Sequence, residues 1–412
     1  MKAVVFTLGC KVNSCESSSL MQGLLELGYE VSDKLEYADL YILNTCAVTK
    51  EAEKKSRQAV SRIKAYNQSA KIIVTGCAAE HNPEAFKEKE GVYLVTGAIN
   101  KDKIISFIES EGVFLDRENY YYEKYLPYNG DKTRAYIKVE DGCNNFCSYC
   151  LIPYLRGRVR SRSIESVKRE LDLNTALEVV VTGINLTAYN YEGSDLADLL
   201  KSLSDYDFRV RLGSLEESVI SEKLLDATKT LKDFAPHFHL SLQSGSSKVL
   251  KDMNRHYDRE EFLQSILKVR KVYPDAAITT DIIVGYPTET DEDFQDTLDL
   301  CEKAEFADIH CFVFSPREGT RAYKLPKLSS NITDERLQKL LEVKQKSKES
   351  FTSRFIGKTL SVLVEEEKDG YFEGYSQNYV RCYFKGDNLS GFKTVKVIKP
   401  FKDGALCEVL NA

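Results

Sequence analysis

The segment Gly142-Cys143-Asn144-Asn145-Phe146-Cys147-Ser148-Tyr149-Cys150 places three cysteines in eight residues, spaced C-x3-C-x2-C. It follows the alternating run Ala135-Tyr136-Ile137-Lys138-Val139, so a strand delivers the chain into a cysteine loop. Three thiolates neither close a tetrahedral zinc site nor satisfy all four irons of a cubane cluster. A 4Fe–4S cluster held here would keep one iron open to a ligand that is not protein.

Eight other cysteines bring the total to 11, an odd number. Only seven residues separate Lys2 from Cys10, too few for the apolar region of a signal peptide, so the chain is expected to be cytoplasmic. In that reducing compartment the cysteines are not expected to form disulfides. No apolar run approaches the length of a membrane span, and no membrane partner is expected. A net charge of −6 argues against a general nucleic-acid coating protein but leaves room for a local basic surface.

With 412 residues the chain exceeds one ordinary domain. Residues 1–116 alternate strands (3–6, 38–43, 71–75, 92–95) with helices (16–27 and 50–66), the pattern of an open parallel α/β sheet. Asn13 or Ser14 is the expected cap of the first helix and Gly28 its stop. Cys10, Cys46 and Cys77 each come just after a predicted strand. Carboxyl ends of parallel strands share one edge, so these three cysteines are expected to converge on one point. Cys15 falls within the helix and reads as a packing residue.

After a linker at 117–134, the alternation resumes on a larger scale. Strands are predicted at 135–139, 178–181, 208–212, 237–242, 277–284 and 308–314, with helices at 164–173, 196–203, 221–230, 259–272 and 292–303. Six strand–helix units imply a partial (β/α)6 barrel with its site at the carboxyl ends of the strands. Gly183, Asn185, Ser214, Glu216, Gln243-Ser244-Gly245 and Gly285 fall at those ends. A charged helix at 331–351 leads into a small all-β module from Gly357, with strands at 360–364, 370–375, 379–384, 394–398 and 406–409. There Lys385, Lys393, Lys396, Lys399 and Lys402 interleave with Tyr379, Tyr383, Phe392 and Phe401, a composition that suits RNA. The five histidines have no metal-binding spacing, and His237-x-His239 reads as packing or polar lining of a strand.

The cysteine loop with Leu151-Ile152-Pro153-Tyr154 and Arg156-Gly157-Arg158-Val159-Arg160-Ser161-Arg162 resembles the radical S-adenosylmethionine (SAM) enzymes, and more narrowly their methylthiotransferase branch. Thr7-Leu8-Gly9-Cys10-Lys11-Val12-Asn13, Asn44-Thr45-Cys46 and Gly76-Cys77 resemble that branch's N-terminal domain. Gln243-Ser244-Gly245-Ser246, Asp281-Ile282-Ile283-Val284-Gly285-Tyr286-Pro287 and Ser315-Pro316-Arg317-Glu318-Gly319-Thr320 extend the likeness, and the β module resembles its TRAM domain. The domains implied are 1–116, 129–350 (the radical SAM core) and 352–412 (TRAM). Lys11-Val12-Asn13 and Val159 are like the subgroup that modifies N6-threonylcarbamoyladenosine in tRNA.

The resemblance implies a 4Fe–4S cluster on Cys143, Cys147 and Cys150 whose open iron takes SAM, and a second on Cys10, Cys46 and Cys77 that delivers sulfur. A second SAM would methylate that sulfur, and the product would carry a methylthio group on C2 of the modified adenosine at position 37 of the anticodon stem-loop. Tyr149, Gly183, Ser214 and Gln243 are the candidate SAM contacts. Arg156, Arg158, Arg160 and Arg162 are the candidate RNA phosphate contacts. An electron donor and a sulfur source outside the chain are also implied. The rival readings are a methylthiotransferase acting on a ribosomal protein aspartate and a non-catalytic iron–sulfur protein that binds RNA.

Overall fold

The computed structural model describes residues 1–99, 101–115 and 133–410; most of the expected linker lies outside them. The first unit is a six-stranded, wholly parallel sheet in the order Glu30–Ser32, Lys2–Thr7, Leu40–Thr45, Lys71–Gly76, Val92–Thr96, Gly112–Phe114. Both outermost strands are additions to the sequence expectation, since three residues are too few to reveal alternation.

The four inner strands place their residues alternately on two faces. Val4, Tyr41, Leu43, Ile72 and Val74 pack against Ala59, Val60 and Ile63 of the helix Lys50–Tyr66. Ala3, Val5, Ile42 and Ile73 pack against Leu20, Met21 and Leu24 of the helix Lys11–Glu26. That helix begins five residues before the expected position, with Cys10 itself, in extended conformation, at its N-cap. Asn13 is no cap. Its buried amide donates to the carbonyls of Leu8 at 2.8 Å and Thr45 at 3.0 Å, tying the helix to the sheet edge where Cys46 follows.

The second unit is the expected partial (β/α)6 barrel. Its parallel strands run Arg134–Asp141, Glu178–Gly183, Arg209–Leu212 continued as Ser214–Leu215, His237–Leu240, Ala277–Val284 and Asp308–Val313. Five helices alternate with them: Ile164–Leu171, Leu196–Lys201, Glu222–Lys229, Arg259–Val272 and Asp291–Ala304. Asp258 and Thr290 start the last two helices with reciprocal capping boxes. The outward residues Val179, Val181, Val210, Leu212, Phe238, Leu240, Ile278 and Ile282 form one core with the helices. Period-two geometry then turns Glu178, Arg209, Arg211, His237, His239, Thr279 and Asp281 inward, so the lumen is polar and charged.

The helix Ser330–Ser353 leads into a closed five-stranded barrel in the order Thr359–Lys368, Tyr371–Ser376, Arg381–Phe384, Gly404–Val409, Phe392–Phe401. It packs on the base of the central barrel. Arg209 donates to the Ser361 hydroxyl at 2.9 Å and lies 4.3 Å from the Phe392 ring, while Tyr379 stacks on His237 at 3.9 Å. Among the described residues no helix is long and apolar enough to cross a membrane.

Gly374 lies where two strands of the small barrel cross so closely that a Cβ would overlap the Leu363 carbonyl. Gly374→Ala is expected to destabilise the protein by about 1–3 kcal/mol, as other overpacked sites do. Denaturant unfolding followed by tyrosine fluorescence checks this; an unchanged midpoint would mean that the strands are not so close.

Candidate active site

The strand Arg134–Asp141 ends at Gly142, whose φ of +84° and contact with the Arg158 carbonyl leave no room for a side chain. The cysteine loop then folds on backbone hydrogen bonds. Cys143 N–H donates to Gly157 at 3.1 Å, Ser148 N–H to Met253 at 2.9 Å and Cys150 N–H to Cys147 at 3.0 Å. The Asn254 amide holds the Asn145 carbonyl at 2.8 Å.

Each sulfur of this loop faces an N–H donor: Asn185 Nδ2 to Cys143 at 3.8 Å, Arg255 Nη1 to Cys147 at 3.3 Å, and the Ile152 amide to Cys150 at 3.4 Å. Burial pushes the Cys150 thiol up to about 12 and raises that of Cys143. Such thiols ionise only when a metal compensates the charge.

The second cysteine set gathers at the sheet edge. Cys10 caps the first helix, Cys46 follows Leu40–Thr45, and Cys77 opens a short helix after Lys71–Gly76. The Gly9 backbone lies directly on Cys46: a Cβ there would stand 2.9 Å from its sulfur. Arg156 Nε donates to Cys77 Sγ at 3.4 Å. Burial, with Cys77 and Cys10 nearby, pushes Cys46 up to about 11.

The described cysteines are all free. Among the described residues, only His239, Asp281 and His310 bring three metal-ligating atoms within 4.8 Å of one another. Neither cysteine trio is therefore drawn in as far as one tetrahedral zinc requires, at roughly 3.8 Å between sulfurs for Zn–S bonds of 2.3 Å. Wider trios, with N–H donors aimed at the sulfurs of Cys77, Cys143, Cys147 and Cys150, fit a cluster held by three cysteines.

Arg156 joins the two sets. Fully buried, it donates to Glu16 Oε1 at 2.7 Å, Asn13 Oδ1 at 2.8 Å and Asp141 Oδ1 at 3.3 Å, as well as to Cys77. Lys138 Nζ, also fully buried, reaches Glu16 at 2.9 Å and Asp141 at 2.6 Å, and Lys101 pairs with Glu16 as well. Burial alone would raise the Glu16 pKa, but Arg156, Lys101 and Lys138 hold it well below the usual range. Four cations, counting Arg160 on Asp141 at 2.9 Å, surround two carboxylates. The excess positive charge suits neighbouring thiolates.

This geometry corrects the expected RNA stripe. Arg156 is 0% exposed and Arg162 5%; Arg162 is used by Glu170, Ser166 and the Lys138 carbonyl. Arg160 is held by Asp141 and the Arg156 carbonyl. Only Arg158 of the four is exposed, its guanidinium 4.3 Å from the Phe146 ring. The reason is long-range: Glu16, Asp141 and Glu170 come from elsewhere in the chain to claim the other three.

The candidate SAM contacts lie around the same rim. Gly183 packs on Glu140, where a Cβ would meet Oε2 at 2.7 Å. Ser214 is exposed just past Gly213. Gln243, at φ +74°, bridges to the neighbouring strand through Asp281 and Ile283. Tyr149 packs beside Val249, Met253, Tyr286 and Phe314.

Glu140 and Arg255 went unnoticed in the sequence. Glu140 is fully buried, accepts the Asn185 amide at 2.7 Å, has no partner for Oε1, and is pushed to about 8 by burial. Its place at the carboxyl end of a barrel strand was the available signal. Arg255, which pairs with Glu216 at 2.7 Å beside Cys147, follows a short helix and carries no local signal.

Known proteins resemble this chain throughout. The Radical SAM superfamily matches residues 137–301, and a family described as Uncharacterized protein family UPF0004 matches residues 2–97. A protein of Thermotoga maritima named threonylcarbamoyladenosine tRNA methylthiotransferase MtaB is 40% identical over 98% of this chain and 96% of its own. Its namesake in Bacillus subtilis is 35% identical over 100% and 98%. A tRNA-2-methylthio-N(6)-dimethylallyladenosine synthase of Pelotomaculum thermopropionicum is 34% identical over 95% and 94%. In fold alone, the radical SAM methyltransferase TsrM of Kitasatospora setae is similar over 78% of this chain and 74% of its own, with a TM-score of 0.57 at 14% identity.

Glu16→Gln is expected to cost about 3–5 kcal/mol in denaturant unfolding, because it leaves buried cations short of a partner. A loss below 1 kcal/mol, typical of an exposed pair, would mean that the network is hydrated.

Proposed function

Because the chain belongs to the methylthiotransferases of the radical SAM superfamily, we propose that it adds a methylthio group to C2 of N6-threonylcarbamoyladenosine at position 37 of the tRNA anticodon loop. The observation that carries this reading is the pair of incomplete thiol trios, linked through one buried arginine. Among the MtaB proteins the chain resembles, the named substrate is threonylcarbamoyladenosine in tRNA.

In this reading Cys143, Cys147 and Cys150 hold one 4Fe–4S cluster, Cys10, Cys46 and Cys77 hold another, and SAM binds at the first. When bound, these groups supply hydrogen abstraction from an aromatic carbon that acid–base chemistry cannot activate, together with sulfur and methyl delivery. The protein's part is placement and charge. Arg156 and Arg255 each donate an N–H to a thiolate sulfur, stabilising its ionised form. Tyr149 walls the SAM side of the loop, and Gly183 and Gln243 shape the rim. Glu140 fixes the turn at Asn185 and leaves Oε1 without a protein partner, open to a polar group of SAM. Two SAM molecules, an external electron and an external sulfur source complete the stoichiometry.

For RNA, exposed Arg158 beside the cysteine loop offers a phosphate contact. The small barrel adds Lys385 and Lys402 over Tyr371 at 5.3 and 5.5 Å, with Lys396 and Lys399 exposed on the strand Phe392–Phe401. Cations beside aromatic rings suit a folded RNA stem-loop.

Mass spectrometry of tRNA nucleosides tests the assignment. Cells lacking this gene are expected to lose 2-methylthio-N6-threonylcarbamoyladenosine and accumulate the unthiolated nucleoside, with restoration by the wild-type gene and not by a Cys147→Ala copy. Persistence of the thiolated nucleoside in cells with no second enzyme for it would contradict the assignment.

A further inference from the structure

Two carboxylates face the lumen of the central barrel, and their partners differ in kind. Glu178 takes Arg211 through Nε at 2.8 Å and Nη2 at 3.1 Å, and Arg134 at 2.6 Å, so two permanent cations hold it. Among the described residues Asp281 forms ion pairs only with imidazoles: His239 Nε2 stands 3.3 Å from Oδ2, and His310 Nδ1 3.3 Å from Oδ1. An imidazole, unlike a guanidinium, carries no permanent charge, so this carboxylate has no fixed countercharge in contact with it.

The three residues stand on three adjacent parallel strands. Asp281 and His310 are paired in register, and His239 is paired with Thr279, two residues before Asp281 on the same face. Each of the three offers a ligating atom within 4.8 Å of the others. A tetrahedral ion with bonds of about 2.0–2.1 Å sets its ligand atoms roughly 3.4 Å apart and the centres of two bound imidazoles roughly 5 Å apart. Here the two N···O distances are 3.3 Å, and the His239 and His310 ring centres are 5.4 Å apart.

Thr279 supplies the outer support that a metal-binding histidine needs. Its hydroxyl lies 3.0 Å from Nδ1 of His239 and 2.8 Å from Nε2 of His237. With Nδ1–H donated to that hydroxyl, and the hydroxyl proton donated to His237, Nε2 of His239 is left as a lone pair facing Asp281. His310 is half-exposed on the outermost strand, so an ion can enter from solvent.

We propose that His239, Asp281 and His310 form a mononuclear site for a divalent transition-metal cation such as zinc, separate from both thiol trios. Two imidazoles and one carboxylate leave a fourth position to water or to an oxygen donor entering the lumen, as in catalytic rather than structural zinc sites. The cation supplies the fixed charge that Asp281 lacks. No spacing in the sequence announces the site, because its ligands come from three strands separated by helices.

The test uses full-length protein reconstituted anaerobically with iron and sulfide, with zinc ion as the only other metal added. Wild-type protein is expected to keep about one zinc per chain after gel filtration, with its iron content unchanged. Zinc X-ray absorption should show nitrogen and oxygen neighbours at about 2.0–2.1 Å and no sulfur at about 2.3 Å. In competition with a chromophoric chelator, Thr279→Val should weaken zinc binding by about 10- to 100-fold, and His310→Ala by at least as much.

A wild-type protein that keeps no zinc overturns the site without depending on any variant's folding. Sulfur in the zinc shell, or wild-type zinc affinity in His310→Ala, also overturns it.

Discussion

The Glu16 side chain is fully buried beneath Arg156, Lys138 and Lys101, and the relation between the two thiol sets depends on it. It belongs to the first helix, whose N-cap is Cys10. Lys138 and Asp141 belong to the strand that feeds the cysteine loop, and Arg156 follows that loop. One knot of charge thus fixes the sheet edge against the barrel rim. A hydrophobic contact of equal area would hold the units together but would not fix one register, because apolar packing is not directional. Whether that register is the reason such a costly group of charges persists is answered by loss of cluster binding in Glu16→Gln, beyond its loss of stability.

The same charge balance explains how neutral thiols become ligands. Burial raises the thiol pKa of Cys46, Cys77, Cys143 and Cys150, and the cations and amides around them offset that only in part. In the proposed reading the remainder comes from the bound clusters. Lower in the lumen the carboxylates are matched within the protein: Glu178 pairs with Arg211 and Arg134, and Asp281 with His239 and His310.

Much of this was legible in the sequence because the decisive signals are local. Each of Cys10, Cys46 and Cys77 follows a short apolar run that reads as a buried strand, and parallel strands bring such positions to one edge. The barrel and the small β module likewise declare themselves through period. The arginine run was misread because its meaning is set by Glu16, Asp141 and Glu170, which no local pattern connects to it. Asn13 looked like a cap for the same reason: its acceptors lie at Leu8 and across the sheet edge at Thr45. The polar lumen could have been foreseen, since Arg209 and Arg211, and His237 and His239, are each two residues apart on strands.

The central claim is that this chain carries two independent three-thiol sites, each holding one four-iron cluster. Iron analysis after anaerobic reconstitution tests it directly. The account predicts about eight irons per chain in the wild type and about four in Cys10→Ala, with SAM cleavage retained and methylthiolation lost. Four irons in the wild type, with none lost in Cys10→Ala, would contradict it.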